Sequence, residues 1–192
     1  MIDEKGMTET KIGKLTLDSS FLKRIQKGED EAIVALYDAS FSVLMNVVVR
    51  YKSNREDQVT LIHNTFMKAL NHLSDFNIGT SFIAWIKTIL QREIIDDFRR
   101  NKRHYLQVSL ELVAETGDEP DFDEMLDLPT EMVNVKELLS KLPTATRTVF
   151  NLFLWDDFSP SEIAKELGIS IDTVRWHIKM ARKHIRQQIE KP

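Results

Sequence analysis

Apolar side chains recur every three or four residues along most of this chain, and that spacing predicts helices. Ile33, Leu36, Tyr37, Phe41, Leu44 and Val48 form one stripe, and Val59, Ile62, Phe66, Ala69 and Leu73 form a second, each turning one helix face toward a core. Ser53 followed by Glu56 matches a capping box at the start of the second helix. A third helix is expected from about Ser81 to Arg103, capped by Thr80 or Ser81, with Ile83, Ile86, Leu90, Ile94 and Phe98 inward. Strand-like alternation never exceeds a few residues and no internal repeat is present, so both halves of the chain are expected to be all-α.

The segment SPSEIAKELGISIDTVRWHI, residues 159–178, gives the sharpest local signal. Ser159, Pro160 and Glu162 spell a helix start, Ile163, Ala164 and Leu167 bury one face, and Gly168 suits a left-handed turn after which Ser170 caps a second helix. Helix, glycine turn and helix is the helix-turn-helix pattern. On the second helix Val174, Ile178, Ala181 and Ile185 step by four, three and four, while Arg175, Lys179, Arg182 and Arg186 repeat those steps one residue on. A basic row therefore runs beside a buried one. Asp172, Thr173, Arg175 and Trp176 occupy the N-terminal end that a recognition helix presents to the major groove, and Lys179, Arg182, Lys183 and Arg186 follow along its length. Base-edge contacts are expected from Arg175, Lys179 or Asp172 and phosphate contacts from the later cations. Trp176 suits either DNA contact or packing, and His177 and His184 are read as solvating the helix surface without a part in the basic row.

Net charge changes the picture only when it is resolved along the chain. The formal value is −4, yet a ligand feels charges within a Debye length of about 8–10 Å rather than the sum. Residues 111–131 hold Glu111, Glu115, Asp118, Glu119, Asp121, Asp123, Glu124, Asp127 and Glu131 with no Lys or Arg, and basic segments lie on either side. With Gly117, Pro120 and Pro129 as breakers, this stretch is expected to be a flexible acidic linker. The expected layout is a tail over 1–19, a helical domain over 20–104, the linker over 105–130 and a second helical domain over 131–192.

The chain has no cysteine, which excludes disulfides and thiolate metal sites. With no carboxylate dyad, nucleophile and base pair, phosphate loop or metal cluster, no enzyme and no cofactor are expected. The most apolar run, Val43–Val49, is shorter than a bilayer span, and with no export signal a cytoplasmic protein without membrane insertion is expected.

In the first half, four cations crowd the five residues Arg99–Arg103, more than a helix C-terminus needs for its dipole. Phosphate explains the excess, whereas Arg92 and Arg99 also suit an ion ladder through Asp96. The preceding loop, 73–85, carries Asp75, Asn77 and Gly79 with Phe76, Phe82 and Trp85 nearby. Two readings stay open there: an ordinary interhelical loop with aromatic anchors, or a surface that holds an extruded base by hydrogen bonds and stacking.

The segments KGEDEAIVALYDAS, REDQVTLIHNTFMKAL, FIAWIKTILQREIIDDFRR, LPTATRTVFNLF and SEIAKELGISIDTVRWHIKMARKHIR occur in an order and spacing that resembles bacterial sigma factors of the extracytoplasmic function (ECF) group, over about residues 21–189. The resemblance implies a first domain (sigma region 2) that binds core RNA polymerase and captures a strand of the promoter minus-ten element. It implies a second (sigma region 4) that reads the minus-thirty-five element as duplex, and an anti-sigma factor as a further partner. Mapped here, polymerase binding would fall to Gln58, Leu61, His63, Asn64 and Lys68, and the minus-ten surface to Asp75, Asn77, Thr80, Ser81, Trp85, Lys87, Arg92, Arg99, Arg100 and Arg103. Thr60 and His63 replace an acidic residue and a Gln usual on the polymerase-binding helix, and Arg92 replaces an Asn. These departures leave two alternatives: a sigma-like decoy that sequesters an anti-sigma factor, or a plain helix-turn-helix regulator. Retention of both basic regions favours the sigma factor over the decoy.

Overall fold

The computed structural model describes residues 10–116 and 135–189. Most of the expected linker, including Pro120 and Pro129, lies outside them. The described residues form a β-hairpin, β1 (Thr10–Ile12) and β2 (Leu15–Leu17), followed by helices α1 (Ser19–Gln26), α2 (Asp30–Tyr51), α3 (Arg55–Asn71), α4 (Phe82–Thr116), α5 (Val135–Ser140), α6 (Thr144–Leu154), α7 (Pro160–Leu167) and α8 (Ile171–Ile189), with a 3-10 turn at Leu73–Asp75. The chain divides into two compact units, one of Met1–Val48 and Asn54–Glu93, the other of Val49–Ser53 and Ile94–Pro192. Apart from the hairpin the fold is all-α, as the periodicity predicts.

In the first unit α2 buries Ala32, Leu36, Ser40, Leu44 and Val48, a run of four-residue steps. This helix is 22 residues long and apolar enough, by length and composition, to cross a bilayer. The expectation drawn from Val43–Val49 alone therefore measured too short a segment, although the buried stripe makes α2 a core helix of this unit. Tyr37 holds α2 to α3, its ring 5.1 Å edge-on from Phe66 and 5.5 Å from His63. On α3 the buried set is Gln58, Leu61, Ile62, Thr65, Phe66 and Ala69. The face expected from Val59 and Ile62 is thus rotated toward Gln58 and Leu61, which point inward rather than outward.

Three local expectations are corrected. The N-cap of α3 is Asn54, whose side chain accepts from the Glu56 N–H at 2.8 Å, and not Ser53. Asn caps as well as Ser, and a start one residue later puts Glu56 at the second helical position, out of capping-box register. Helix α4 runs to Thr116 instead of stopping near Arg103, because neither Gly nor Pro interrupts the chain before Gly117. Its continuation is pinned at Tyr105, whose hydroxyl donates to Asp97 at 3.2 Å while Lys52 reaches the same carboxylate oxygen at 2.6 Å. Finally, Thr10–Leu17 is a hairpin rather than tail, with Thr10 opposite Leu17 and Ile12 opposite Leu15 around Gly13 at φ +58.

In the second unit Leu138, Leu139, Leu142, Phe150, Ala181 and Ile185 make one cluster, with Leu154 against it. Arg147 is buried there without a carboxylate and donates to the carbonyls of Ser140 and Leu142 at 2.8 and 2.7 Å. It thereby satisfies acceptors that the end of α5 leaves open. Burial lowers its pKa below the usual guanidinium range.

Candidate nucleic-acid interface

The helix-turn-helix forms as its residues predict. Ser159 Oγ accepts from the Glu162 N–H at 3.3 Å and Glu162 Oε2 accepts from the Ser159 N–H at 2.8 Å, a complete capping box. Gly168 adopts φ +65 and donates its N–H to the Ala164 carbonyl, so the chain leaves α7 through a left-handed residue. Ser170 Oγ then accepts from the Thr173 N–H at 3.0 Å and starts α8. Ile163 and Leu167 on α7, with Val174, Ile178, Ala181 and Ile185 on α8, are all buried.

That burial fixes which face of α8 is left outside. Asp172 and Arg175 stand on its first turns, with 87% and 51% of their side-chain surface exposed, and form an ion pair at 3.6 Å. Such an exposed pair is worth at most about 1 kcal/mol and yields readily to a better partner. Arg186 is exposed, whereas Lys179, Arg182, Lys183 and Trp176 are half-buried. Arg182 lies 5.7 Å from the Phe153 ring centre in a cation–π contact. The basic row therefore faces solvent at its two ends and leans on the protein in between. His177, expected on the helix surface, is instead buried with its Nδ1 2.9 Å from the Thr146 hydroxyl, and burial lowers its pKa to about 4.

In the loop ahead of α4, Asp75, Asn77, Thr80 and Ser81 are exposed and Trp85 is half-buried. Phe76 and Phe82 are buried with ring centroids 5.3 Å apart, and each ring centroid lies 5.4 Å from that of Trp85. These two phenylalanines anchor the loop rather than offer a stacking face. Ser81, not Thr80, caps α4, accepting from the Ala84 N–H at 3.2 Å. Thr80 instead donates its hydroxyl to the Asn77 carbonyl at 2.7 Å and tightens the loop. Lys87, Arg92, Arg100 and Arg103 are exposed along α4. Arg99 is engaged within the second unit: its guanidinium donates to the Glu166 carbonyl and lies 3.2 Å from the Glu166 carboxylate, with Asp96 at 3.8 Å. Lys102, one of the four cations within Arg99–Arg103, donates to the Gly168 carbonyl at 2.9 Å.

On α3 the residues expected to meet polymerase separate. His63 and Asn64 are exposed, in line with Thr60 and with Met67, which is 56% exposed. Gln58 and Leu61 are buried, and Lys68 closes an ion pair with buried Glu93 of α4. Met67 of α3 and Val34 of α2 are exposed large apolar residues that sequence alone does not single out, because an apolar residue at helical spacing reads as core until the helix register is known.

A family model described as ECF sigma factor matches residues 18–191. The chain is 26% identical to the ECF RNA polymerase sigma factor SigW of Bacillus subtilis over 88% of its own length and 94% of that protein. It is 27% identical to the RNA polymerase sigma factor YlaC of the same organism over 84% and 94%. Among solved structures it resembles the sigma factor RpoE from Bartonella quintana, crystallised with the anti-sigma factor NepR, with 20% identity, a TM-score of 0.44 and coverage of 86% and 98%.

Proposed function

The chain belongs to the ECF sigma factor family and acts with RNA polymerase, and from that premise we propose that it selects promoters through two separate DNA-reading surfaces. The minus-thirty-five element is read as duplex by α8, with Asp172, Arg175 and Lys179 toward base edges and Ser170, Thr173, Arg182, Lys183 and Arg186 toward the backbone. The minus-ten element is captured as a strand by the loop of Asp75, Asn77, Thr80 and Ser81, with Trp85, Lys87, Arg92, Arg100 and Arg103 along α4. Phosphates draw Arg99 into this surface by displacing its contacts with Glu166. His63, Asn64 and Met67 on α3, together with the exposed Val34 of α2, dock on core polymerase. In this layout residues 20–104 serve polymerase and the minus-ten element, 105–130 link, and 131–192 serve the minus-thirty-five element. An anti-sigma protein completes the set of partners.

The observation that carries this reading is the exposed Asp172–Arg175 pair on the first turns of α8, offered by a helix whose opposite face is wholly buried. That is the geometry of a recognition helix. Transcription in vitro with purified core polymerase, with and without this chain, on a promoter library tests it. Enrichment of templates sharing two elements is the expected result, whereas a decoy or a simple regulator would give no initiation of its own.

A further inference from the structure

The hairpin β1–β2 lies ahead of the residues that the family match covers, which begin at 18, and the sequence assigned it no role. It is nevertheless firmly placed. Ile12 and Leu17 are buried, Gly13 makes the turn at φ +58, and Asp18, directly after β2, caps α1 by accepting from the Phe21 N–H at 2.7 Å. At the end of this hairpin away from its turn, the Thr10 hydroxyl bonds twice, among the described residues, to the loop ahead of α4. It accepts from the Gly79 N–H at 3.2 Å and donates to the Thr80 carbonyl at 2.7 Å.

A hydroxyl has one hydrogen to donate, and Thr10 spends it on this loop. The loop needs such help. Gly79 sits at φ +97, a region glycine enters and leaves freely, and the exposed Asn77 and Thr80 on either side of it are joined to each other by short-range bonds. A clamp from a residue 70 positions away selects one loop conformation out of many, which is what fixed hydrogen-bonding groups require if they are to discriminate between bases.

We propose that the N-terminal hairpin braces the strand-capturing loop and that Thr10, by bridging Gly79 and Thr80, is a positioning residue for minus-ten selectivity. The proposal rests on the function given above, since it assigns Thr10 a part in that loop's reading.

The test uses the full chain with Thr10→Val, which keeps the shape and strand preference of threonine without its hydroxyl, and Thr10→Ser, which keeps the hydroxyl. Amide exchange at Gly79 should quicken several-fold in Thr10→Val and return toward the parent rate in Thr10→Ser. With core polymerase and a library randomised in both elements, Thr10→Val should broaden the minus-ten preference several-fold, leaving minus-thirty-five preference and polymerase affinity unchanged, and Thr10→Ser should restore it. An unchanged minus-ten profile in Thr10→Val, or an equal loss across all promoters together with weaker polymerase binding, would overturn the proposal. A parent chain inactive with polymerase would sink the functional reading instead, and unaltered Gly79 exchange in Thr10→Val would still refute the brace.

Discussion

The Thr146 hydroxyl and His177 Nδ1 lie 2.9 Å apart in the interior of the second unit, joining α6 to α8. His177 Nε2 is buried with no hydrogen-bond partner among the described residues. A charged imidazole donates from both nitrogens, and although Nδ1–H can give to the Thr146 hydroxyl, Nε2–H would be left without an acceptor; burial accordingly lowers the His177 pKa from 6.5 to about 4. The unfolded chain takes up a proton between these values and the folded chain does not, so stability is full above pH 6.5 and falls as pH drops toward 4. At about 1.4 kcal/mol per unit the loss approaches roughly 3 kcal/mol. Urea denaturation between pH 7 and 4, followed by amide protection of α6 and α8, should show that slope, and His177→Gln should flatten it.

Gly168 sits at φ +65 between α7 and α8. A Cβ added there would come no nearer than 3.7 Å to Lys102 Nζ, an ordinary contact, so the penalty for Gly168→Ala is conformational. It should cost about 1–2 kcal/mol, read as a lower urea midpoint, and Gly168→Asn should cost less because Asn tolerates the left-handed region.

Much of the second unit could be read from the chain itself, and the reason is locality. Ser159, Glu162, Gly168 and Ser170 each act within four residues of their own position, so spacing alone determines what they do. The misplaced features depend on partners far along the chain. The pairing of Lys68 with Glu93, 25 residues later, is invisible to the spacing along α3. Thr10 looked like part of a polar tail until Gly79 and Thr80 met it. Gln58 and Leu61 changed sides because one polar residue, Thr65, belongs to the buried face of α3, and a binary pattern discounts it. Whether Asn54 or Ser53 caps that helix is a one-residue choice between equivalent capping residues.

Among the described residues Arg175 pairs with an exposed carboxylate, and its removal should shift stability by less than about 0.5 kcal/mol. Its effect on promoter choice should be larger. Loss of one bidentate base contact costs about 1–3 kcal/mol, roughly 5- to 150-fold. Arg175→Ala with Lys179→Ala should therefore abolish dependence on the minus-thirty-five element while leaving polymerase binding intact. Equal promoter affinity in the parent and double variant, measured with the reconstituted holoenzyme, would count against α8 as the reading helix.

Lys68 and His63 lie on the same helix but should respond differently to substitution. Glu93 is buried and paired with Lys68, itself half exposed. Lys68→Ala strands a carboxylate in the first unit, and even discounted for solvent near Lys68 the expected loss is about 2–3 kcal/mol. His63 is exposed, so His63→Ala should leave the denaturation midpoint nearly unchanged and act on polymerase affinity alone. Adding Glu93→Leu to Lys68→Ala removes the stranded charge and should recover most of the stability, since a buried pair replaced by apolar groups is often neutral. If the Lys68→Ala chain keeps its parent midpoint but loses polymerase binding, Lys68 is a docking residue after all and its pairing with Glu93 is incidental. If the double variant regains its midpoint and its polymerase affinity together, the ion pair is structural and the docking surface reduces to His63, Asn64, Met67 and Val34.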